Sequence, residues 1–142
     1  HRRLLAQTAL QLIADGKNQK AINILKKADV EIPAYNVTLD YMSGGLDMAR
    51  GWLLTGQKAK GKEYVEAVWK NAYQYLNYYL SLTNDRFLQS QNDCIRQIMI
   101  MQSVCDVAGM VSPQLQKSYE KQLNALYTLY RGRGGSMPQG NQ

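Results

Sequence analysis

Apolar residues recur every three or four positions along almost the whole chain, which is the spacing of amphipathic helices. No stretch shows the alternation of apolar and polar residues that marks a half-buried strand. The predicted helices are separated by residues that stop or cap helices, namely Asp15 with Gly16, Pro33, Gly56, Asn84, Gly109 and Ser112 with Pro113. The pattern therefore predicts an all-α fold of six helices that pair into three helical hairpins.

Two of the predicted helices carry features that matter below. The third is expected to hold Tyr41 and Met42 on its apolar stripe. The fifth carries Cys94 and Cys105 on one face, about 16 Å apart along the helix. Because that distance is beyond the reach of a disulfide, we interpret both cysteines as small core residues.

Two turns of the predicted fold repeat each other. Residues 16–21 and 56–61 read Gly-Lys-Asn-Gln-Lys-Ala and Gly-Gln-Lys-Ala-Lys-Gly, 40 positions apart. Ala9, Ala21 and Pro33 match positions of the tetratricopeptide repeat, so the helical pair around the first turn resembles that repeat. The helical pair around the second turn is a looser match. We therefore expect a tetratricopeptide-like right-handed stack over residues 1–131 and a flexible Gly-rich tail over residues 132–142. An irregular helical bundle is the alternative.

Tetratricopeptide stacks bind ligands on a concave face that the first helix of each pair lines. By that resemblance, the possible groove residues are Arg3, Leu10, Ile13, Ser43, Leu46, Arg50 and Leu53. Such a groove would be apolar with arginines at its rim, which suits a peptide or an anionic end group. The alternative is that these residues pack against the third hairpin.

Tyrosines crowd the end of the fourth helix. Tyr75 and Tyr78 could form an aromatic ledge that stacks on a sugar ring or a base. The alternative is a core stripe whose hydroxyls reach the surface. Helical phase places Tyr79 toward the interior and makes Tyr78 the most exposed of the three.

The residues that catalysis usually needs are missing from the chain. The only histidine is His1, which leaves no Ser-His-Asp triad, Cys-His pair or HExxH motif. There is also no CxxC pair, GxGxxG loop or Walker loop. We predict that this chain is not an enzyme, and we assign it no catalytic residue, no cofactor and no metal ligand.

Charge adds one alternative. The net charge is +6, and residues 131–135 read Arg-Gly-Arg-Gly-Gly, which resembles a minimal RNA-binding segment. A free-standing adaptor or nucleic-acid-binding helical module is therefore the second hypothesis. A protein or peptide partner is the first.

Four segments carry a family resemblance. Residues 34–37 and 40–42, together with residues 56–61 leading into 75–82, resemble the soluble C-terminal region of the Bacteroidetes membrane-protein family called domain of unknown function 2723. The resemblance covers roughly residues 3–130 and departs from the family at Thr38. It implies a parent protein similar to protein O-mannosyltransferases, which transfers sugars from lipid carriers and has its catalytic residues in a membrane half outside this chain.

The resemblance also implies a role and a location. The chain would be a non-catalytic accessory domain that contacts its own membrane half or a glycosylation acceptor. The parent would be an inner-membrane protein with this domain in the periplasm, attached to the membrane only through the region before His1. The charges of Arg2 and Arg3 favour the cytoplasmic side instead if a membrane span directly precedes them.

Overall fold

The computed structural model describes residues 1–34 and 39–137, and the described residues form seven α-helices and no strand. The all-α prediction is therefore confirmed. The helices are α1 Arg2–Ala14, α2 Asn18–Glu31, α3 Gly45–Leu54, α4 Lys58–Leu80, α5 Asn84–Gln89, α6 Gln91–Val111 and α7 Pro113–Gly132. Helix α1 packs on α2, α3 packs on α1 and α4, and α6 packs on both α4 and α7.

The turns after α1 and α3 have the same backbone structure. Gly16 and Gly56 adopt left-handed conformations with φ of +75° and +81°. The amides of the next residues, Lys17 and Gln57, each donate at 2.8 Å to a carbonyl five residues earlier. This is the Schellman motif, which ends a helix where glycine supplies the positive φ. The repeat seen in the sequence thus corresponds to a repeated turn.

The third helix begins later than predicted. Tyr41 and Met42 lie in a turn before α3 and are exposed, rather than on its apolar stripe. In this turn the Ser43 amide donates to Asp40 Oδ1 at 2.7 Å, and the Gly45 amide donates to the Asp40 carbonyl at 2.8 Å. Local hydrogen bonds of this kind, which an aspartate accepts, favour a turn over a helix.

The predicted fifth helix is two helices, separated at Ser90. The amide and the hydroxyl of Ser90 both donate to the Phe87 carbonyl, at 2.9 Å and 2.8 Å. Serine side chains interrupt helices in this way because they compete for backbone acceptors. The break lets Phe87 point inward, where its ring meets the Tyr130 ring edge-on at 5.9 Å.

Two predicted boundaries of these helices also differ. Thr83 occupies the N-cap position of α5, so Asn84 is the first helical residue rather than the cap. Gly109 does not stop α6, which continues to Val111. The start of α7 is as predicted, because Ser112 Oγ accepts from the Leu115 amide at 3.1 Å and Pro113 opens the helix.

The core contains the small residues that the sequence placed there. Ala9 and Ala21 are fully buried where α1 and α2 meet their neighbours. Cys94 and Cys105 are free and buried, as predicted. Burial raises the pKa of the Cys105 thiol to about 11, so both the position and the protonation state of this cysteine are those of a core residue.

The chain after α7 contacts the helical array as far as it is described. Arg133 donates to the Leu80 carbonyl at 2.7 Å and to Asn84 Oδ1 at 2.9 Å, and its guanidinium lies 4.4 Å from the centre of the Phe87 ring. Met137 packs against the core. The remainder of the predicted flexible tail, residues 138–142, lies outside the described residues.

Among the described helices, α6 has the length and apolar composition that a membrane span requires. Half of its most apolar window is buried within the fold, against α4 and α7.

Candidate interaction surface

Three adjoining depressions form one continuous concave surface between the turn before α3, the second half of α4 and the outer face of α6. The largest, which we call the α6 groove, has a volume of about 560 Å³. The second, the polar cleft, has about 210 Å³ and shares Tyr41, Met42, Arg96 and Ile100 with it. The third, the tyrosine ledge, measures about 420 Å³ and shares Asn71 and Tyr75 with the cleft.

A buried arginine holds the turn that presents Tyr41 and Met42. The Arg2 side chain, at the start of α1, donates to the Ile32 carbonyl at 3.0 Å and to Ser43 Oγ at 2.9 Å. Burial lowers the pKa of Arg2, and the nearby Asp40 carboxylate opposes that shift. This one side chain thus joins α1, the end of α2 and the turn before α3.

Glycine lets the same turn approach α1 closely. A Cβ on Gly44 would lie 2.6 Å from the Arg3 Cα, and Gly44 has φ of +90°. Both the close approach and the backbone conformation therefore require glycine. The turn rests on α1 on one side and leaves Tyr41 and Met42 exposed on the other.

The α6 groove is lined mainly by flexible apolar side chains. Met42 from the turn and Met99 from α6 are 63% and 48% exposed, and Ile95 and Ile100 lie between them. Methionine adapts its shape to different partners, which is why it is frequent at binding surfaces. Asp106 lies on the same wall, ten residues along α6 from Arg96, so the groove carries one charge of each sign.

The polar cleft has a different chemistry. It is lined by Asp40, Asn71, Tyr79, Arg96 and Gln97 together with four side chains of the adjoining depressions. The Tyr75 and Tyr79 rings lie 6.4 Å apart and nearly parallel. A cleft with a carboxylate, a guanidinium, two amides and aromatic rings is suited to a polar ring-shaped group.

The tyrosine ledge contains the two tyrosines for which the sequence suggested an aromatic ledge. Tyr75 and Tyr78 are 48% and 57% exposed and line one depression with Asn71 and Gln74. Tyr79 is half-buried, so Tyr78 is the most exposed of the three, as predicted. These four lining residues have the spacing i, i+3, i+4 and i+7 along α4, which puts them on one face of that helix.

The residues predicted to line a groove along α1 and α3 are not brought together in one depression. Leu46 belongs to the core, and Arg50 pairs with Asp47 at 3.3 Å. Leu10, Ile13 and Leu53 are half-buried, and Leu53 packs on Gly61. Arg3 and Ser43 line a cavity of about 410 Å³ next to α1, in which Met42 also takes part.

The α6 groove shares none of its lining residues with the groove predicted along α1 and α3. Sequence reasoning missed Met42 and Met99 because it placed Met42 in a helix and Met99 in a core helix. A usable signal was present in the local sequence, since Asp40, Ser43 and Gly44 together mark a turn and therefore an exposed Tyr41-Met42 pair.

The described residues contain no group of three or more His, Cys, Asp or Glu side chains that could hold a metal ion. A separate polar cluster lies near the start of α4, where Asp29 accepts from Lys60 at 2.6 Å and also from the Tyr64 hydroxyl. The hydrogen bond to Asp29 raises the pKa of Lys60. The cluster ties α2 to α4, so it has a structural role.

Comparison with protein-family models, with curated protein sequences and with solved structures finds no match to this chain. The concave surface must therefore be interpreted from its own chemistry.

Proposed function

We propose that this chain is a non-catalytic interaction domain that binds an extended peptide segment of another protein in the α6 groove. The observation that carries the proposal is the exposed apolar lining of that groove. Met42, Met99 and Tyr41 are three of the chain's exposed large apolar side chains, and they meet in one depression. Exposed apolar groups that converge in this way mark interaction sites on globular proteins.

The dimensions of the groove favour a peptide over a small molecule. Its lining along α6 runs from Asn92 to Asp106, a length of about 21 Å at the helical rise per residue. That is the length of about six residues of extended chain. Because Arg96 and Asp106 stand toward opposite ends, the favoured peptide has an apolar centre, an acidic residue near Arg96 and a basic residue near Asp106.

A tetratricopeptide-like stack is the architecture that we propose for this domain. Its support is the pair of Schellman turns after α1 and α3, and the small residues Ala21 and Gly61 at matching places after them. A Cβ on Gly61 would lie 2.4 Å from Leu53, so close approach of the two helices depends on glycine there. Such stacks present peptides on their concave side.

The family resemblance supplies the biological setting of the proposal. In this setting the chain is an accessory domain of a membrane-embedded glycosyltransferase-like protein. The accessory domain lies in the periplasm. The bound peptide would then belong to the membrane half of the parent protein or to a glycosylation acceptor. In the encoding gene we expect several apolar segments of about 20 residues upstream of His1. An open reading frame that starts near His1 would contradict this setting without affecting peptide binding.

Peptide binding can be tested by selecting peptides from a random phage library on the immobilised domain and titrating the enriched sequences by calorimetry. We expect a Kd on the order of micromolar, and Met99→Glu should weaken binding at least about tenfold because it places a charge in the apolar centre. The matched control is Leu129→Glu, which changes an equally exposed apolar residue on α7. Selection of no peptide, or equal losses in both variants, would contradict the proposal.

The nucleic-acid alternative retains one supporting observation, the exposed lysines at the repeated turns, among them Lys17, Lys20 and Lys58. Its other support is weaker, because Arg133 of the Arg-Gly-Arg-Gly-Gly segment bonds to Leu80 and Asn84. Gly134 provides a left-handed turn after α7, and a Cβ on Gly135 would lie 2.4 Å from the Tyr130 ring. The segment thus has a structural explanation. Binding of RNA with a steep salt dependence would favour the alternative.

A further inference from the structure

One side chain in the polar cleft packs within the fold without using its hydrogen-bonding groups there. Gln97 is 9% exposed, yet its side-chain amide makes no hydrogen bond within residues 1–34 and 39–137. Its carbon atoms are enclosed, but its amide oxygen and nitrogen are not, because Trp52 Nε1 is the buried side-chain polar atom without a partner among the described residues. Gln97 lines the cleft, so its donor and acceptor groups border the space that a ligand would fill.

The other polar groups around this space offer both donors and acceptors without a net charge. Asp40 can accept hydrogen bonds, Arg96 can donate them, and the Asn71 amide can do both. Burial raises the pKa of Tyr79, which keeps its hydroxyl protonated and able to donate. An anionic ligand would meet the Asp40 carboxylate, and a purely apolar one would leave Gln97 unpaired. The cleft therefore favours a neutral ligand rich in hydroxyl groups.

Aromatic rings supply the remaining wall. Tyr75 and Tyr79 present nearly parallel rings from α4, and Tyr41 lies across from them on the turn before α3. Flat rings of this kind pack against the C–H face of a pyranose, while its hydroxyls each donate one hydrogen bond and accept two. The volume of about 210 Å³ is below the roughly 300–1,000 Å³ of pockets for drug-sized ligands, so it suits a single ring.

We propose that the polar cleft binds one pyranose ring of a neutral sugar. Gln97 and Asn71 hydrogen-bond to the ring hydroxyls, and Tyr75 packs against the ring face. This inference goes beyond the proposed function, because a sugar can occupy the cleft whether or not a peptide lies in the α6 groove. The two can be measured separately, one with sugars alone and the other with peptides alone.

The first experiment titrates the isotope-labelled protein with methyl glycosides of glucose, galactose and mannose and follows the side-chain amide signals by NMR. We expect a Kd on the order of millimolar for at least one glycoside, which is typical of a ligand this small. The signals of Gln97 and Asn71 should shift, whereas that of Gln102, which lines only the α6 groove, should not. The absence of a shift at Gln97 with all three glycosides would overturn the proposal.

Two further probes define the class of ligand. Glucose 1-phosphate tests for an anion site, and acetamide tests for a site that accepts the amide group of a peptide. Both should bind more weakly than the best glycoside. If either binds as tightly as the glycoside, the cleft is not a site for neutral sugars.

A pair of substitutions on α6 separates a binding role of the amide from a structural one. Gln97→Leu should weaken glycoside binding by at least about tenfold, the loss expected when a ligand hydroxyl is left unpaired. It should leave Tm within about 2 °C of the parent, because the amide bonds to no other described residue. The control Gln102→Leu should leave binding and Tm unchanged. A fall in Tm with Gln97→Leu would show that the amide serves the fold and would overturn the proposal.

A second pair, on exposed positions of α4, keeps the test independent of core packing. Tyr75→Ala should weaken glycoside binding about tenfold, because Tyr75 lines the cleft. Tyr78→Ala should weaken it less than about twofold, because Tyr78 lines the ledge and not the cleft. Equal losses in the two variants would place the sugar on the ledge and contradict the assignment to the cleft.

Discussion

The two ends of the helical array pack by different means. Where α1, α2 and α3 meet, the closest approaches are at small residues set among larger core side chains such as Trp52, since Ala9 and Ala21 are fully buried and a Cβ on Gly51 would lie 2.9 Å from Leu25. Where α4, α6 and α7 meet, contact is made by large rings. The Trp69 ring lies parallel to that of Tyr119, with 4.0 Å between centroids.

This difference determines which substitutions each end can tolerate. The small-residue contacts have no space for added atoms, so they are damaged by enlargement. The aromatic contacts bury large areas, so they are damaged by truncation. The concave surface lies where the two ends meet. One wall is the turn before α3, which is held by Arg2 of α1, and the other wall is α6. Its shape therefore depends on both kinds of packing.

The largest expected effect is at the aromatic end. Trp69→Ala should lower the free energy of unfolding by about 3–5 kcal/mol, because it removes a buried ring and its stack with Tyr119. Urea denaturation measures this loss. Tyr78→Ala on the same helix is the control and should cost less than about 0.5 kcal/mol, since that ring is exposed. A loss for Trp69→Ala below about 1 kcal/mol would mean that the ring contact is not what stabilises this end.

A smaller effect is expected at the end packed by small residues. Ala21→Leu should cost about 1–3 kcal/mol, because the added atoms must enter a contact that has no free volume. The control Ala59→Leu, at an exposed position early in α4, should change stability by less than about 0.5 kcal/mol. If the two variants melt at the same temperature, the assigned register of the first helical pair is wrong.

The smallest effect tests how the segment after α7 is attached. Arg133→Ala should cost about 1 kcal/mol, because it removes hydrogen bonds to Leu80 and Asn84 and the contact with the Phe87 ring. Arg131→Ala, which changes an exposed arginine two residues earlier, should have no measurable effect on thermal unfolding. Equal stability of both variants would indicate that this attachment does not contribute to the fold.

Much of the fold could be predicted because its signals are local. The glycine after α1, the glycine after α3 and the Ser112-Pro113 start of α7 each act within one helical turn, and all three boundaries are where the sequence placed them. Two features could not be predicted. The break at Ser90 accompanies packing of Phe87 on Tyr130, 43 positions away, and the turn before α3 is held by Arg2.

The candidate site also has one part that could be predicted from the sequence and one part that could not. The tyrosine ledge follows from helical phase, because its four residues lie on one face of a single helix. The polar cleft does not, because it combines side chains from the turn before α3, from α4 and from α6. In the sequence Gln97 is one glutamine among many, and it is singled out by its place in the cleft and by the absence of a hydrogen bond from its amide to any described residue.

The amino-acid sequence by itself determined the helical class of this protein, the repeated glycine turns and the small residues at the closest helix contacts. Each of these follows from periodicity or from the conformational freedom of one or two residues. The tertiary structure alone decided that Arg2 holds the turn before α3, that Arg133 is bound, and that the concave surface lies along α6. These features depend on groups that are distant in sequence, and their free energies exist only when the folded chain brings those groups into contact.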